Sequence, residues 1–312
     1  MKAAQYNSYG GPEVIEIDET AEPVVGKGQV LVEVHAASIN QFDWKVRNGY
    51  MKDQMPLKFP VTIGGDFSGI VTKLGHDITE FRIGDEVFGS ALVFNGGSGA
   101  FAEFSSANVS NITFKPENIN HIEAASLPLV GASAIQAIEG HIGLQSRQKI
   151  LITGGCGGIG SIAIQLAKSV GAYVAATVST EHIDFVKSLG ASEVIDYKKE
   201  NVSEKLHDFE AVFDTVGGEF RDNTIKVLKQ GGIIVSMVGA PDAKLVEEQG
   251  VKAIAQNTKT TREALTRLKE LIEKNIIKPQ VDKVFPLVQA KEAFVYQETS
   301  RPKGKVVVKI KL

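Results

Sequence analysis

Three glycines in G-x-G-x-x-G spacing, Gly155, Gly157 and Gly160, lie within the run KILITGGCGGIGSIAIQLAK. The chemistry that suits such a turn is the holding of a pyrophosphate. Gly155 permits a tight turn, Gly157 lets the backbone approach the anion, and Gly160 lets helix and strand pack closely. The helix amino terminus then favours negative charge. Gly158 and Ile159 complete the candidate cofactor turn. A purely structural turn is the alternative, but an apolar run of strand character precedes it and a helical pattern follows. A dinucleotide is therefore the expected ligand.

The end of the next expected strand, in AYVAATVSTEH, bears on which dinucleotide this is. An NAD site places Asp or Glu there to bind both ribose hydroxyls. Ser179 and Thr180 offer hydroxyls instead, which can donate to a 2′-phosphate that a carboxylate would repel. Glu181 follows, at the expected start of a helix, where capping is its ordinary role. NADP(H) is the expected cofactor. Cys156 sits inside the turn, yet no His adjoins it, so a nucleophilic thiol is not expected.

The elements that hold these residues follow two rhythms. Short β-branched or aromatic runs at 2–6, 14–18, 29–36, 67–73 and 86–88, separated by Gly and Pro, predict a mostly antiparallel barrel. After about Glu123, strands at 149–153, 173–178, 193–195, 211–215 and 233–238 alternate with helices at 159–170, 182–189 and 222–228. That alternation predicts a parallel sheet with helices on both faces. A helix at 261–274 follows, and strands at 281–285 and 305–310 are expected to return to the barrel.

Composition excludes several classes. A chain of 312 residues suggests about two domains, and 43% hydrophobic with 23% charged residues suits globular cores. A net charge of -3 gives no cationic face, so no nucleic-acid partner is expected. One cysteine excludes an internal disulfide and a four-cysteine zinc site, and is compatible with a reducing cytoplasm, the expected location. The first residues lack the apolar run of a secretory signal. Residues 150–167 are uncharged over a length at which membrane helices are considered, but the clustered glycines make strand, turn and helix the better reading. No membrane partner is expected.

The stretches GQVLVEVHAASINQFDWKVRNG, FPVTIGGDFSGIV, RIGDEVFG, GAFAEF, EAASLPLVGASAIQAI, VFDTVGG, LKQGGIIVSMVG and GKVVVKI, with the glycine turn, occur in a telling order. Over nearly its whole length the chain resembles the zinc-free quinone oxidoreductases of the medium-chain dehydrogenase/reductase superfamily, the zeta-crystallin-like group. The resemblance implies an α/β protein with a GroES-like β-barrel domain plus a Rossmann domain, a doubly wound parallel sheet. The barrel would comprise 1–123 and 276–312, the Rossmann domain 124–275, with a cofactor in the cleft between them.

The resemblance also assigns roles. Asn40 would orient nicotinamide and substrate carbonyl. Asp43 either shares that site or caps the helix at 44–47. Tyr50 either donates a proton or lines the pocket, with solvent as the other proton source. Ser133 would meet the nicotinamide ribose, and the loops at Val216-Gly217-Gly218 and Val238-Gly239-Ala240 would close over the nicotinamide. Ser179 and Tyr197 would surround the 2′-phosphate. A lysine usual in that region is Ile183 here, and Lys198 or Lys199 is a candidate replacement. Phe42 and Trp44 flank Asn40 as pocket walls or core, and Phe94 and Asn95 are candidate rim residues.

Zinc-dependent members of the superfamily carry Cys near Asn40 and a Gly-His-Glu triplet where this chain has Gly64-Gly65-Asp66. The six histidines are scattered, so no metal is expected. Without a Lewis acid the acceptor must disperse its own charge. A quinone or α,β-unsaturated carbonyl does so, and NADPH-dependent reduction of such a small molecule is the expected activity. An enoyl-thioester reductase, or a non-catalytic NADPH-binding structural or RNA-binding protein, is the alternative. A homodimer is expected, pairing through an exposed strand at 233–238.

Overall fold

The computed structural model describes residues 1–311. Strands β1 (Lys2–Tyr6), β2 (Glu16–Glu19) and β3 (Gln29–Ser38) precede helix α1 (Gln41–Arg47). Strands β4 (Val61–Thr62), β5 (Asp66–Leu74), β6 (Glu86–Ser90), β7 (Phe104–Asn108) and β8 (Ile112–Phe114) follow. Next come α2 (His121–Ala125), α3 (Pro128–Ile135), β9 (Lys149–Ile152), α4 (Gly158–Ser169), β10 (Tyr173–Val178) and α5 (Ile183–Ser188). Then β11 (Glu193–Asp196), α6 (Val202–Lys205), β12 (Phe209–Asp214), α7 (Gly218–Ile225) and β13 (Leu228–Ser236) alternate. The chain closes with α8 (Ala243–Glu248), β14 (Lys252–Ala255), α9 (Arg262–Glu273), β15 (Val281–Pro286), α10 (Ala290–Thr299) and β16 (Lys305–Lys309).

These elements form two units. The first contains residues up to Leu129, Thr260–Glu273, and the chain from Pro279 on. Its larger sheet runs β15-β16-β3-β5-β6-β8, with β7 also paired to β3. Strand β3 carries Val30, Leu31, Val32 and Val34, all fully buried, as expected of a strand covered on both faces. Strand β16 pairs antiparallel with β3, Val307 opposite Ser38, so the carboxyl-terminal strand is laid directly beside the segment leading to Asn40. Phe67, Phe101, Phe294 and Val306 fill the core. Helix α9 belongs to this unit by its contacts.

The second unit contains Val130–Lys259 and Lys274–Lys278. Its six strands are all parallel, in the order β11-β10-β9-β12-β13-β14. This is the doubly wound order, in which ligands bind beyond the carboxyl ends of the strands where the order reverses. Central β9, KILI, is apolar because helices cover it on both faces.

Three expectations need correction. The stretch 233–238 is not a sheet edge: β13 lies between β12 and β14, and β14 is the edge. Strand β14 escapes sequence reading because KAIA is short and mostly exposed. The helix expected at 222–228 begins at Gly218, and Leu228 already belongs to β13. The helix expected at 44–47 begins three residues earlier, because Asn40 is its N-cap and Asp43 occupies the third helical position. Among the described residues no helix is long and apolar enough to cross a membrane.

Candidate active site

The glycine turn joins β9 to α4, and each glycine answers a different steric demand. A Cβ on Gly160 would lie 2.3 Å from the Gly154 carbonyl oxygen, so helix and turn can touch only through hydrogen. At Gly155 it would press within 3.1 Å of Ala176 Cβ and Ile164 Cδ1. At Gly157, the N-cap of α4, it would meet nothing nearer than 3.4 Å. That open space is the cradle a pyrophosphate needs beside backbone amides. The left-handed residue of the turn is Gly154, with φ 65°, rather than Gly155, because the chain must bend before the G-x-G begins. Gly158 and Ile159 form the first helical turn, and Cys156 is half-buried beside them.

Sequence reading missed the residue that organises the neighbouring loops. Asp214 is fully buried at the end of β12. Its Oδ1 accepts from Thr153 Oγ1 at 2.9 Å and from the backbone N–H groups of Val216 and Gly217 at 3.1 Å. Its Oδ2 accepts from Ser236 Oγ at 2.7 Å, and that hydroxyl accepts from Val238 N–H. One carboxylate thus fixes three strand ends, leaving Val216, Val238, Gly239 and Ala240 exposed on the loops. The available signal was an acid ending the apolar run AVFD.

Ser133 is fully buried on α3, its hydroxyl 2.8 Å from Thr258 Oγ1. Gln256 donates to the Ser133 carbonyl at 3.0 Å, while its own Oε1 is buried without a partner. A buried acceptor of this kind is what a ribose or carboxamide donor would satisfy. At the far end of β10, Ser179 is buried and its hydroxyl bonds to the Glu181 carboxylate. Glu181's own backbone N–H, then Ser179 and Lys198, hold that carboxyl down at about 2. Lys198 lies 3.1 Å from it. Thr180 instead donates to Asp196, at 2.5 Å. Tyr197 is exposed, its ring edge-on to Phe220.

In the first unit, Asn40 ends the segment after β3 and is 6% exposed. Its Oδ1 accepts from Lys305 Nζ at 2.5 Å, and its Nδ2 donates to Asp66 Oδ2 at 2.9 Å. The amide has one allowed orientation, since an ammonium only donates and a carboxylate only accepts. Asp66 Oδ2 also accepts from Leu129 N–H, and Lys305 Nζ also donates to the Ile39 carbonyl. Asp43 accepts from Asn40 N–H at 2.7 Å, which gives it the capping contact. Burial pushes the Asp43 carboxyl up to about 7. Burial likewise raises Asp66 and lowers Lys305, and their mutual attraction opposes both shifts.

Phe42 meets Phe94 edge-on at 6.3 Å, whereas Trp44 packs against the core and carries Tyr50 on its edge at 5.9 Å. Tyr50 is 70% exposed. Asn95 is exposed and spends its carbonyl on Asn108. A cleft of ≈ 290 Å³ opens beside Phe94, lined by Leu57, Pro60 and Val93 and also by the polar Gln5, Lys58 and Ser98. Its size suits a small molecule.

The chain is similar to known proteins over nearly its whole length. Residues 26–117 match the alcohol dehydrogenase GroES-like domain, and residues 189–308 match the family described as zinc-binding dehydrogenase. The chain is 37% identical to a 2-methylene-furan-3-one reductase of Solanum lycopersicum, over 99% of this chain and 79% of that protein. It is 36% identical, with the same coverage, to a chloroplastic NADPH-dependent alkenal/one oxidoreductase of Arabidopsis thaliana. The structure of a quinone oxidoreductase from Coxiella burnetii superposes with TM-score 0.91 at 34% identity, covering 100% of this chain and 99% of that one.

The zinc named in one family description does not fit the residues here. The oxygens nearest the buried Lys305 ammonium are already engaged: Asn40 Oδ1 accepts from Lys305, and Asp66 Oδ2 accepts from the Asn40 amide and from Leu129 N–H. A second cation beside that ammonium would find the Asp66 and Asp43 carboxyl groups but, among the described residues, no thiolate or imidazole, which is short of a zinc ligand set. The fold, the glycine turn and the matched relatives converge: the chain belongs to the quinone oxidoreductase family of the medium-chain dehydrogenases/reductases.

Proposed function

We propose that the chain catalyses NADPH-dependent reduction of quinones and α,β-unsaturated carbonyls. The observation that carries this reading is the Asn40 amide. One N–H of its Nδ2 is spent on Asp66, and Nδ2 makes no other hydrogen bond among the described residues, so one donor remains for an acceptor oxygen.

NADPH, when bound, supplies a hydride. The open space at Gly157, with Gly155, Gly158, Ile159 and Gly160 shaping the turn, supports a pyrophosphate site. Ser133 and the unpartnered Gln256 oxygen support a ribose or carboxamide contact, and the exposed Tyr197 and Lys198, beside Ser179 and Thr180, support a 2′-phosphate contact. Val216, Val238, Gly239 and Ala240 supply exposed loop surface for the nicotinamide. In the acceptor, charge moves to the oxygen as the β-carbon or quinone ring takes the hydride. Asn40 stabilises that oxygen with a preorganised N–H, the kind of contact that tightens as charge develops. A saturated ketone would leave a full alkoxide, which one amide does not stabilise as a Lewis acid does. Phe42 and Phe94 exclude water from the acceptor. The proton that completes the product comes from solvent or from the exposed Tyr50.

The first unit then acts as the acceptor domain, and the second, Val130–Lys259 with Lys274–Lys278, as the cofactor domain. A cytoplasmic homodimer completes the reading, with the β14 edge as the pairing strand, since an unpaired edge offers free backbone groups. The test is NADPH consumption with an ortho-quinone, a para-quinone and a small enone, in parallel with NADH. Turnover with NADPH is expected. Its absence with every acceptor would refute the reading.

A further inference from the structure

We infer that Lys305 is the positioning residue of the acceptor site: it orients and polarises the Asn40 amide that receives the developing oxygen charge. The inference rests on the proposed role of Asn40 and extends it to a residue at the other end of the chain.

The geometry is set by sheet register. Ile39 N–H donates to the Val306 carbonyl at 3.0 Å, and Val307 lies opposite Ser38, so β16 delivers Lys305 to Ile39 and Asn40 across 265 residues of sequence. Lys305 is 4% exposed, and its ammonium donates to two oxygens, the Ile39 carbonyl and Asn40 Oδ1. The first contact ties Nζ to the backbone, and the second ties the amide to Nζ. Asp66 closes the arrangement from the nitrogen side. Asn40 therefore has a fixed rotamer and a fixed amide orientation before any acceptor arrives.

The charge matters as much as the placement. A cation on an amide oxygen draws electron density toward that oxygen and makes the amide N–H groups stronger donors. In a buried chain of hydrogen bonds this polarisation is not screened by water. The strengthening acts on the N–H that remains for the acceptor. Its effect should scale with the charge left on the acceptor oxygen in the transition state. An enolate concentrates that charge on one oxygen, whereas a hydroquinone anion spreads it over an aromatic ring. Lys305 should thus matter more for enones than for quinones.

The experiment compares wild type with Lys305→Met and Lys305→Gln, measuring kcat for a small enone and an ortho-quinone. NADPH affinity is followed by nucleotide fluorescence, and folding by thermal melting. Removing a whole oxyanion donor costs about 10²–10³ in kcat, so weakening one should lower enone kcat about 10- to 100-fold. Quinone kcat should fall by less than about fivefold, with NADPH affinity unchanged. A merely structural lysine would lower melting temperature and reduce both acceptors by the same factor. Equal loss on the two acceptors, or no loss, would overturn the inference. If both single variants fail to fold, Lys305→Met/Asp66→Asn removes both buried charges together, and the same enone-to-quinone ratio is read from it. Failure of the wild type on every acceptor would remove the functional reading as well. An active wild type with equal losses removes the role of Lys305 alone.

Discussion

Gly157→Ala and Gly160→Ala should separate cofactor binding from packing within one turn. At Gly160 the added methyl would lie 2.3 Å from the Gly154 oxygen and 2.9 Å from Gly155 Cα. Both are backbone atoms, so neither can rotate away and the α4 start must shift. Overpacking of this kind costs about 1–3 kcal/mol. At about 2–4 °C per kcal/mol for a domain of this size, a 2 kcal/mol loss lowers Tm by about 4–8 °C. At Gly157 the methyl has 3.4 Å of clearance, and φ −74°, ψ 173° suit alanine. Alanine is a weaker N-cap than glycine but reduces unfolded-state freedom, so stability should move by only about ±0.5 kcal/mol. The methyl would, however, occupy the pyrophosphate's place. Losing one amide–phosphate hydrogen bond costs about 1.5–3 kcal/mol. At 1.4 kcal/mol per tenfold, Kd for NADPH should rise about 10- to 100-fold. Nucleotide fluorescence titrations and melts of both variants give the four numbers. Wild-type NADPH affinity in Gly157→Ala would refute the cradle, and an unchanged Tm in Gly160→Ala would refute the packing argument.

Two further outcomes follow from charge. Asp43 holds its proton up to about pH 7 in the folded protein, chiefly through burial, against an ordinary value of 3.8. Between about pH 4 and 7 the folded state therefore binds a proton the unfolded chain has lost, so this group's contribution to stability falls as pH rises and levels off above 7. Asp43→Asn should flatten that slope in melts between pH 4.5 and 8, and an identical slope would count against it. Lys198→Glu would set a second carboxylate beside Glu181 and Ser179. A surface charge reversal of about 1 kcal/mol should cut kcat/KM for NADPH about fivefold while sparing NADH; equal effects on both cofactors would exclude Lys198 from phosphate recognition.

What the sequence reveals depends on how far apart the interacting residues lie. The glycine turn is readable because its steric demands act within a few residues, and Gly154 escaped only because it precedes the motif. The parallel sheet is readable from the alternation of apolar strands with helical segments. Asn40 was reached through resemblance, since nothing in its neighbours marks it. Lys305, Asp66 and Asp214 were unreadable as site residues for one physical reason. Each acquires its meaning from partners that sheet register delivers: Lys305 from Asn40, 265 residues away, and Asp214 from Thr153 and Ser236 on neighbouring strands. On the sequence alone, Lys305 is one lysine among several near the chain end, and Asp66 is only the residue that stands last where zinc-dependent members carry Gly-His-Glu.

Stability does not account for this arrangement. Buried ions lose much of their hydration, and replacing a buried ion pair with well-packed apolar residues is often neutral or stabilising. Lys305 and Asp66 are both buried within the sheet-rich first unit, where valine and leucine would pack at no such penalty. Asp214 repeats the pattern in the second unit, a fully buried carboxyl at the end of apolar β12. What both clusters provide is geometric. A single carboxylate binds three strand ends and so fixes two loops, and a single ammonium binds a carbonyl and an amide and so fixes one donor. Apolar residues could fill either volume, but they have no directional bonds with which to aim a loop or an N–H. The two buried polar groups lie where the proposed chemistry needs aim: one behind the loops offered to the nicotinamide, the other behind the amide offered to the acceptor.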